Sequence, residues 1–452
     1  MNVTQFNTNK YGEHIPVSLQ PAISLSGSIK ARKASLPAGS SFIGFGVAIT
    51  GSSCYNLARM TKEERTSFLK IIYTSEGLGL SVGRLSIGSS DYSADLYTYD
   101  DVDQDIALEH FSIERDKDYI IPMIKEILAV NPDLYLFASP WSPPAWMKTG
   151  NSVGGGYMRE KYIECYADYF VKYLKAYADE GILIRAVTCQ NEPETDQNGT
   201  MPACIWHPEI EARFISVLRR KLRENGLETE IWAHDHNFSG AERVEWYFEE
   251  YPELHQDCSG VAFHYYGGTI ENTMQLKEKV APLRLHFTEG GPRLYDHYDN
   301  DWCKWTSMMI KTLNCGYSSF TGWNLMLDET GGPNIGPFFC GGLATRNRLS
   351  GELSYSGQYK AFRQVAPYVR KDSVIYPLTF STKGFPMFGY PDTCDMPLDG
   401  TMIENTDGSS VMILVNHEST KRQVQYFRDG QWWYVELLPE TVATVVFDNS
   451  DF

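Results

Sequence analysis

The chain has no run of 18 apolar residues, no CxxC pair and no excess of basic residues, and each absence removes a class of protein. Without a long apolar run, no helix can be expected to cross a bilayer. The opening stretch MNVTQFNTNKYGEHIPVSL lacks a basic segment followed by an apolar core, so it does not read as a secretory signal. The nine cysteines are odd in number and dispersed from Cys54 to Cys394, which suits a reducing compartment better than a disulfide framework. A soluble, cytoplasmic protein is the expectation. Lys and Arg total 40 against 57 Asp and Glu, a formal net charge of −17 that repels nucleic acid and acidic membrane surfaces. No nucleic-acid partner and no stable membrane insertion are therefore expected. Internal repeats and low-complexity tracts are missing as well.

What is present is a globular composition: 452 residues, 42% apolar, 21% charged and 13% aromatic. That length allows two or three domains, or one large barrel with an addition. Eight short apolar runs alternate with helical patterns: 42–50, 80–87, 134–141, 184–189, 230–235, 260–266, 283–288 and 317–324. They are continuous rather than alternating in apolar residues, as strands covered on both faces must be. Between them, Thr61 and Glu64 form a capping box ahead of Phe68, Leu69, Ile71 and Ile72. Residues 159–179 carry a stripe of period 3.6, and Pro208 opens a helix that Gly226 closes. The expected fold is α/β, a (β/α)8 TIM barrel. A doubly wound open sheet is the rival, but no GxGxxG follows a first strand. Residues 376–448 alternate with turn signals such as Asp429-Gly430, the pattern of an antiparallel sheet. Residues 23–33 could add a strand to it. The expected layout is residues 1–38 contributing to a β-sandwich, 39–365 forming the barrel and 366–452 completing the sandwich.

Two of the predicted strands end in carboxylates. The fourth runs into Gln190-Asn191-Glu192-Pro193 and the seventh into Thr288-Glu289-Gly290-Gly291. Barrel enzymes carry their chemistry at the C-terminal ends of the strands. There, two glutamates can face each other across a sugar, one protonating the leaving oxygen and the other attacking the anomeric carbon. His234-Asp235-His236 has the look of a metal-ligand triplet, yet strand alternation would turn the two histidines to one side and Asp235 to the other. A structural or pocket-lining role is expected for it. Glu194 and Glu329 are expected to be solvated loop residues, and Trp432-Trp433 to pack between sandwich and barrel.

The sequence resembles glycoside hydrolase family 30 on its glucosylceramidase-like side, within the clan of retaining (β/α)8 glycosidases. The resemblance rests on Gly44-Phe45-Gly46-Val47-Ala48, on Ser139-Pro140-Trp141-Ser142-Pro143-Pro144-Ala145-Trp146-Met147-Lys148, on Asn191-Glu192-Pro193 and on Gly322-Trp323-Asn324-Leu325. It implies Glu192 as general acid/base and Glu289 as nucleophile. It further implies that Asn191 holds the sugar 2-hydroxyl, that Arg84 keeps the nucleophile ionised, and that His264 and Tyr266 line the pocket beside it. Asp91 would grip the far hydroxyls of the glycone, Trp141 and Trp323 would be the pocket tryptophans, and Asn324 would lie beside them at the substrate. No cofactor and no metal are implied. Three departures bear on the leaving group: Tyr265 stands where the lysosomal enzymes have Trp, Gly290-Gly291-Pro292 replaces Ala-Cys, and residues 194–206 diverge. The implied activity is a retaining β-glucosidase acting on a carbohydrate or glycoside. A β-1,6-glucanase or β-xylosidase of the same family is the alternative, and a non-catalytic carbohydrate-binding barrel a remote one.

Overall fold

Each of the eight apolar runs becomes a strand of one closed, parallel barrel. In chain order these are β1 (Gly44–Ala48), β2 (Val82–Ile87), β3 (Tyr135–Pro140), β4 (Ile184–Thr188), β5 (Glu230–Asn237), β6 (Gly260–His264), β7 (Arg284–Glu289) and β8 (Ser319–Gly322). The computed structural model describes residues 2–8, 16–22, 28–39, 41–381 and 398–448. Strand cores such as Val47, Val82, Leu136, Val187, Ile231, Val261 and Phe287 are buried, which is why these runs tolerate no polar alternation.

The helices follow from their local signals. Thr61 caps Lys62–Tyr73, and both reciprocal hydrogen bonds of its capping box form, Glu64 N–H to Thr61 Oγ1 at 3.2 Å and Thr61 N–H to Glu64 Oε2 at 2.9 Å. The tyrosine-rich stripe becomes Ile163–Asp179, with Tyr166, Tyr169, Phe170 and Tyr173 inward. Pro208 is the first residue of Pro208–Glu224, and Gly226 beyond its end takes φ +67°, a left-handed value that favours glycine.

The chain forms two compact units. One comprises Phe45–Asp296 and Ser319–Tyr355 and holds the barrel; the other comprises Met1–Gly44, His297–Ser318 and Ser356–Phe452. The second unit is built around a mostly antiparallel sheet of ten strands drawn from both chain ends. Asn2–Thr8 pairs with Thr441–Asp448, while Ile29–Lys33 lies between Val374–Ser381 and Arg422–Arg428. Ile29–Lys33 is thus the strand expected near the N-terminus; residues 23–27 and 382–397 of the expected segments lie outside the described residues. The sheet halves share one core, with Val3, Met412 and Val445 from one and Ile29, Val424 and Val435 from the other. Trp433 belongs to that core, near Phe447, and Lys30 lies over Trp432. Helices Trp302–Asn314 and Gly357–Val365, inside the range expected for the barrel, group with this sheet because their side chains bond to it. Ser307 Oγ donates to Asp399 at 2.6 Å, Gln364 Nε2 to the Val442 carbonyl at 3.0 Å and Trp302 Nε1 to the Glu440 carbonyl at 3.1 Å.

Candidate active site

Three charged groups, wholly buried, lie under the C-terminal ends of the barrel strands. Arg84 of β2 donates from Nη1 to Glu289 Oε2 (2.5 Å), and from Nη2 to Asn191 Oδ1 (2.8 Å) and Asp235 Oδ2 (2.9 Å). Asp235 also accepts from Ser139 and Thr188 on Oδ2, and from His264 Nε2 (3.0 Å) and Thr288 Oγ1 (2.6 Å) on Oδ1. Burial alone would raise the Asp235 carboxyl, but Arg84, His264 and Thr288 outweigh it and hold it well below the usual carboxylate range. Burial likewise opposes a charge on His264, yet Glu289, Asp235 and Glu192 carry it up to about 9. An imidazolium therefore points Nδ1 at Glu192 Oε1, 3.4 Å away.

Asp235 shows where alternation fails. His234 and Asp235 both take left-handed φ, 74° and 61°, and the register with β6 slips so that Ala262 faces His234 and Phe263 faces His236. This bulge turns Asp235 into the barrel, the reverse of the sequence expectation, with the two histidine rings 6.0 Å apart. His234 is buried, its ring pushed down to about 3 by desolvation, with Nε2 beside the Asn237 carbonyl. His236 lines the pocket and pairs through Nδ1 with Glu194 Oε2 at 2.8 Å. Glu194 is accordingly not a free loop carboxylate: burial raises it, but His236, His234 and Arg243 bring it down to about 2. A β-carbon at Gly240 would meet the His234 ring at 2.3 Å, so only glycine lets this pair sit so close. Glu329 does remain a surface residue, paired with Arg348.

The two glutamates stand at the mouth. Glu289, at the end of β7, is held on both oxygens, by Arg84 on Oε2 and by the Tyr266 hydroxyl on Oε1 at 3.0 Å. Glu192 follows β4 with left-handed backbone (φ 53°), and its N–H donates to the Asp235 carbonyl at 3.0 Å. Such strain in a non-glycine residue persists only where surroundings enforce it. Gln197 Nε2 donates to Glu192 Oε2 at 2.6 Å. Burial raises the Glu192 carboxyl, but the His264 hydrogen bond, the His236 charge and the Gln197 amide leave it below the ordinary value. Oxygens of Glu192 and Glu289 and a nitrogen of His264 lie within 4.8 Å of one another. Among the described residues this is the one cluster of His, Cys and carboxylates compact enough to share an ion. Both oxygens of each of these carboxylates already face a donor, Glu289 from Arg84 and Tyr266 and Glu192 from His264 and Gln197.

A pocket of about 320 Å³ opens above them, at the small end for ligand sites. Its lining includes Asp91, Trp141, Asn191, Glu192, Tyr266, Glu289 and Trp323, so seven of the ten expected residues meet there. Arg84 and His264 support it from below. Asn324 does not reach it: fully buried with φ 61°, it accepts from Thr50 Oγ1 at 2.8 Å. Trp141 and Trp323 stack on each other, ring centroids 5.3 Å apart, with the Arg84 guanidinium 4.8 Å from the Trp141 ring. Asp91 Oδ1 is buried with no hydrogen-bond partner, and burial together with Glu289 and Glu192 pushes its carboxyl well up. An orphaned oxygen in a pocket wall calls for a donor from outside.

Sequence reasoning missed Gln197 and Arg293 and turned Asp235 the wrong way, while His236 takes the pocket-lining place expected of its triplet. Arg293 lies over the Tyr266 and Phe338 rings at 5.2 and 5.0 Å. The wall on the Glu192 side is tied by Lys148, whose buried ammonium donates to the carbonyls of Val153 (2.7 Å), Gly155 (2.8 Å) and Ala203 (2.8 Å). Gly154 packs there so tightly that a β-carbon would meet the Gly199 carbonyl at 2.7 Å.

Family comparison places this arrangement. The glycosyl hydrolase family 30 TIM-barrel domain matches residues 42–341, and the chain belongs to that family of glycosidases. It is 33% identical over 311 residues to putative glucosylceramidase 3 of Caenorhabditis elegans, covering 64% of this chain and 59% of that one. It is 28% identical over 428 residues to an endo-1,6-beta-D-glucanase of Neurospora crassa, covering 89% and 84%. Among solved structures, SrfJ from Salmonella typhimurium superposes over all of both chains with a TM-score of 0.89 at 25% identity. An endo-beta1,6-glucanase superposes over 99% of this chain and 100% of its own with a TM-score of 0.85 at 28% identity. The family implies a carbohydrate substrate, and no described helix is long and apolar enough to cross a membrane.

Proposed function

We propose that the chain is a retaining β-glucosidase of the glucosylceramidase type, with Glu289 as nucleophile and Glu192 as acid/base. The observation that carries this reading is the approach of the two carboxylates to within 4.8 Å. Retaining enzymes use a separation of about 5–5.5 Å, whereas inverting enzymes need about 6.5–9.5 Å to admit a water.

In the first step a Glu289 oxygen bonds to the anomeric carbon, the bond to the leaving oxygen breaks, and Glu192 gives that oxygen its proton. In the second, water bonds to the anomeric carbon, its proton passes to Glu192, and the ester to Glu289 breaks. Arg84 and Tyr266 hold the two oxygens of the nucleophile in place by donating one hydrogen bond to each. Because Asn191 spends Oδ1 on Arg84, its amide N–H is the group offered to the sugar 2-oxygen. Asp91 takes the distal hydroxyls on its unpartnered oxygen. Trp141 and Trp323 provide an aromatic wall for the sugar face.

A second reading, endo-1,6-β-glucanase, is favoured by relatives of that name matching across 89% of the chain in sequence and 99% in structure. The test has two parts. Glu192→Ala with an activated aryl β-glucoside and azide should form the β-glucosyl azide; the same rescue by Glu289→Gly would exchange the roles. The parent enzyme is then given nitrophenyl β-glucoside, glucosylceramide and a β-1,6-glucan. Turnover of the first two alone supports the glucosylceramidase type, and internal cleavage of the glucan establishes the second reading.

A further inference from the structure

We propose that Gln197 is a positioning residue for the acid/base: its amide occupies the Glu192 oxygen on the side of the 195–201 loop and yields it when a leaving group arrives. The inference rests on the acid/base assignment of Glu192 made above. Its ground is geometric. Gln197 Nε2 lies 2.6 Å from Glu192 Oε2, while His264 Nδ1 addresses the other oxygen, Oε1. Both oxygens thus face donors, an arrangement suited to a carboxylate and not to a carboxylic acid that must donate.

The turn that delivers Gln197 is built for the purpose. Gln197, Asn198 and Gly199 all take left-handed φ, 50°, 51° and 68°. Two non-glycine residues in that region need enforcement. Thr195 Oγ1 accepts the Gln197 N–H at 3.1 Å, Asp196 Oδ1 accepts the Asn198 N–H at 3.0 Å, and the Lys148 ammonium ties the segment through Ala203. Gln197 and Glu192 line the same pocket, together with Thr195 and Met201 of this wall. An aglycone oxygen reaching Glu192 from this side competes with the amide.

The consequence is a division of labour between the two steps. In the first, Glu192 must hold a proton for the leaving oxygen, and the Gln197 amide opposes that form until displaced. In the second, Glu192 must be ionised to take a proton from water, and the same amide favours it. The other groups facing Glu192 are His264 from β6, His236 and the Asp235 carbonyl from β5, Glu289 from β7 and Asp91 across the pocket, with Glu194 next but one along its own turn. Replacing Gln197 leaves all of them in place.

The measurement is the pH profile of kcat/KM for a β-glucoside with a poor leaving group. Gln197→Met should move the basic limb, where Glu192 loses its proton, upward by about one pH unit, as loss of a charge-assisted hydrogen bond implies. Gln197→Glu should move it further, because a like charge then faces the carboxylate. The acidic limb should stay in place. With a dinitrophenyl glucoside, whose phenolate leaves without a proton, the loss of kcat/KM should be smaller than with the poor leaving group. A basic limb that stays put in both variants overturns the proposal. Equal losses with the poor and the activated leaving group also overturn it, reducing Gln197 to a merely structural role. Movement of the acidic limb instead would show that the acid/base assignment itself is wrong.

Discussion

Glu289 and Glu192 end strands of one barrel, yet they are held by different kinds of structure. Every group that fixes Glu289 belongs to the barrel or the end of a strand: Arg84 on β2, Tyr266 just beyond β6, and behind Arg84 the buried Asp235 on β5. Glu192 is shared between the barrel, through His264, and a loop, through Gln197. The contrast separates two tasks. The nucleophile must stay in one place, which a rigid network supplies, whereas the acid/base must change protonation twice per turnover and must also meet whatever the sugar is attached to. The same division runs through the pocket lining, where Glu289 ends β7 and Trp141 directly follows β3, while Gln197, Met201, Arg293 and Phe338 belong to loops.

The sharpest way to break this contrast is to remove the nucleophile. Glu289→Gln should lower kcat/KM for every glycoside by at least about 10⁴-fold, whatever the leaving group, measured with the parent as reference. A loss confined to poor leaving groups would mean that Glu289 serves as the acid. Next comes the ion network. Asp235→Asn leaves Arg84 and the His264 imidazolium short of a buried counter-charge and should cost about 3–5 kcal/mol of stability, read from chemical denaturation. A variant of parent stability would mean that the floor is not the rigid element proposed. On the substrate side the effect is smaller. Asp91→Ala should reduce the preference for nitrophenyl glucoside over xyloside by about 10- to 100-fold, because the lost acceptor served a hydroxyl the pentose lacks. An unchanged ratio would remove Asp91 from glycone selection. The smallest effect lies away from the site, where Thr61→Ala should cost about 1 kcal/mol of stability through its capping box and leave kcat/KM untouched. A change in catalysis there would argue that the outer helices, too, tune the carboxylates.

Legibility in the sequence follows the same line. All eight barrel strands are readable because burial on both faces leaves continuous apolar runs, and the two glutamates because strand ends at a barrel mouth give carboxylates one place to go. Asp235 is misread because alternation assumes an unbroken strand, and a bulge with φ of 74° and 61° at residues 234 and 235 leaves no mark in the residue types. Asn324 keeps company with Trp323 in the motif, but its left-handed backbone turns it to Thr50 instead of the pocket. Gln197 is silent for a different reason. A turn of left-handed residues is dictated by contacts with distant segments, here those reaching it from Lys148 and Gly154, and nothing within residues 194–199 announces where the amide will point.

Lys148 invites comparison with a coordinated ion. Three carbonyl oxygens from two loops converge on its ammonium much as oxygens converge on a bound cation, and its three protons are each taken up. Here, however, the charge arrives on a covalent tether, from the same segment that carries Trp141. The wall beside the acid/base therefore cannot be emptied by dilution or by a chelator, and its shape answers to the position of the third barrel strand instead of to the ionic make-up of the surrounding solution.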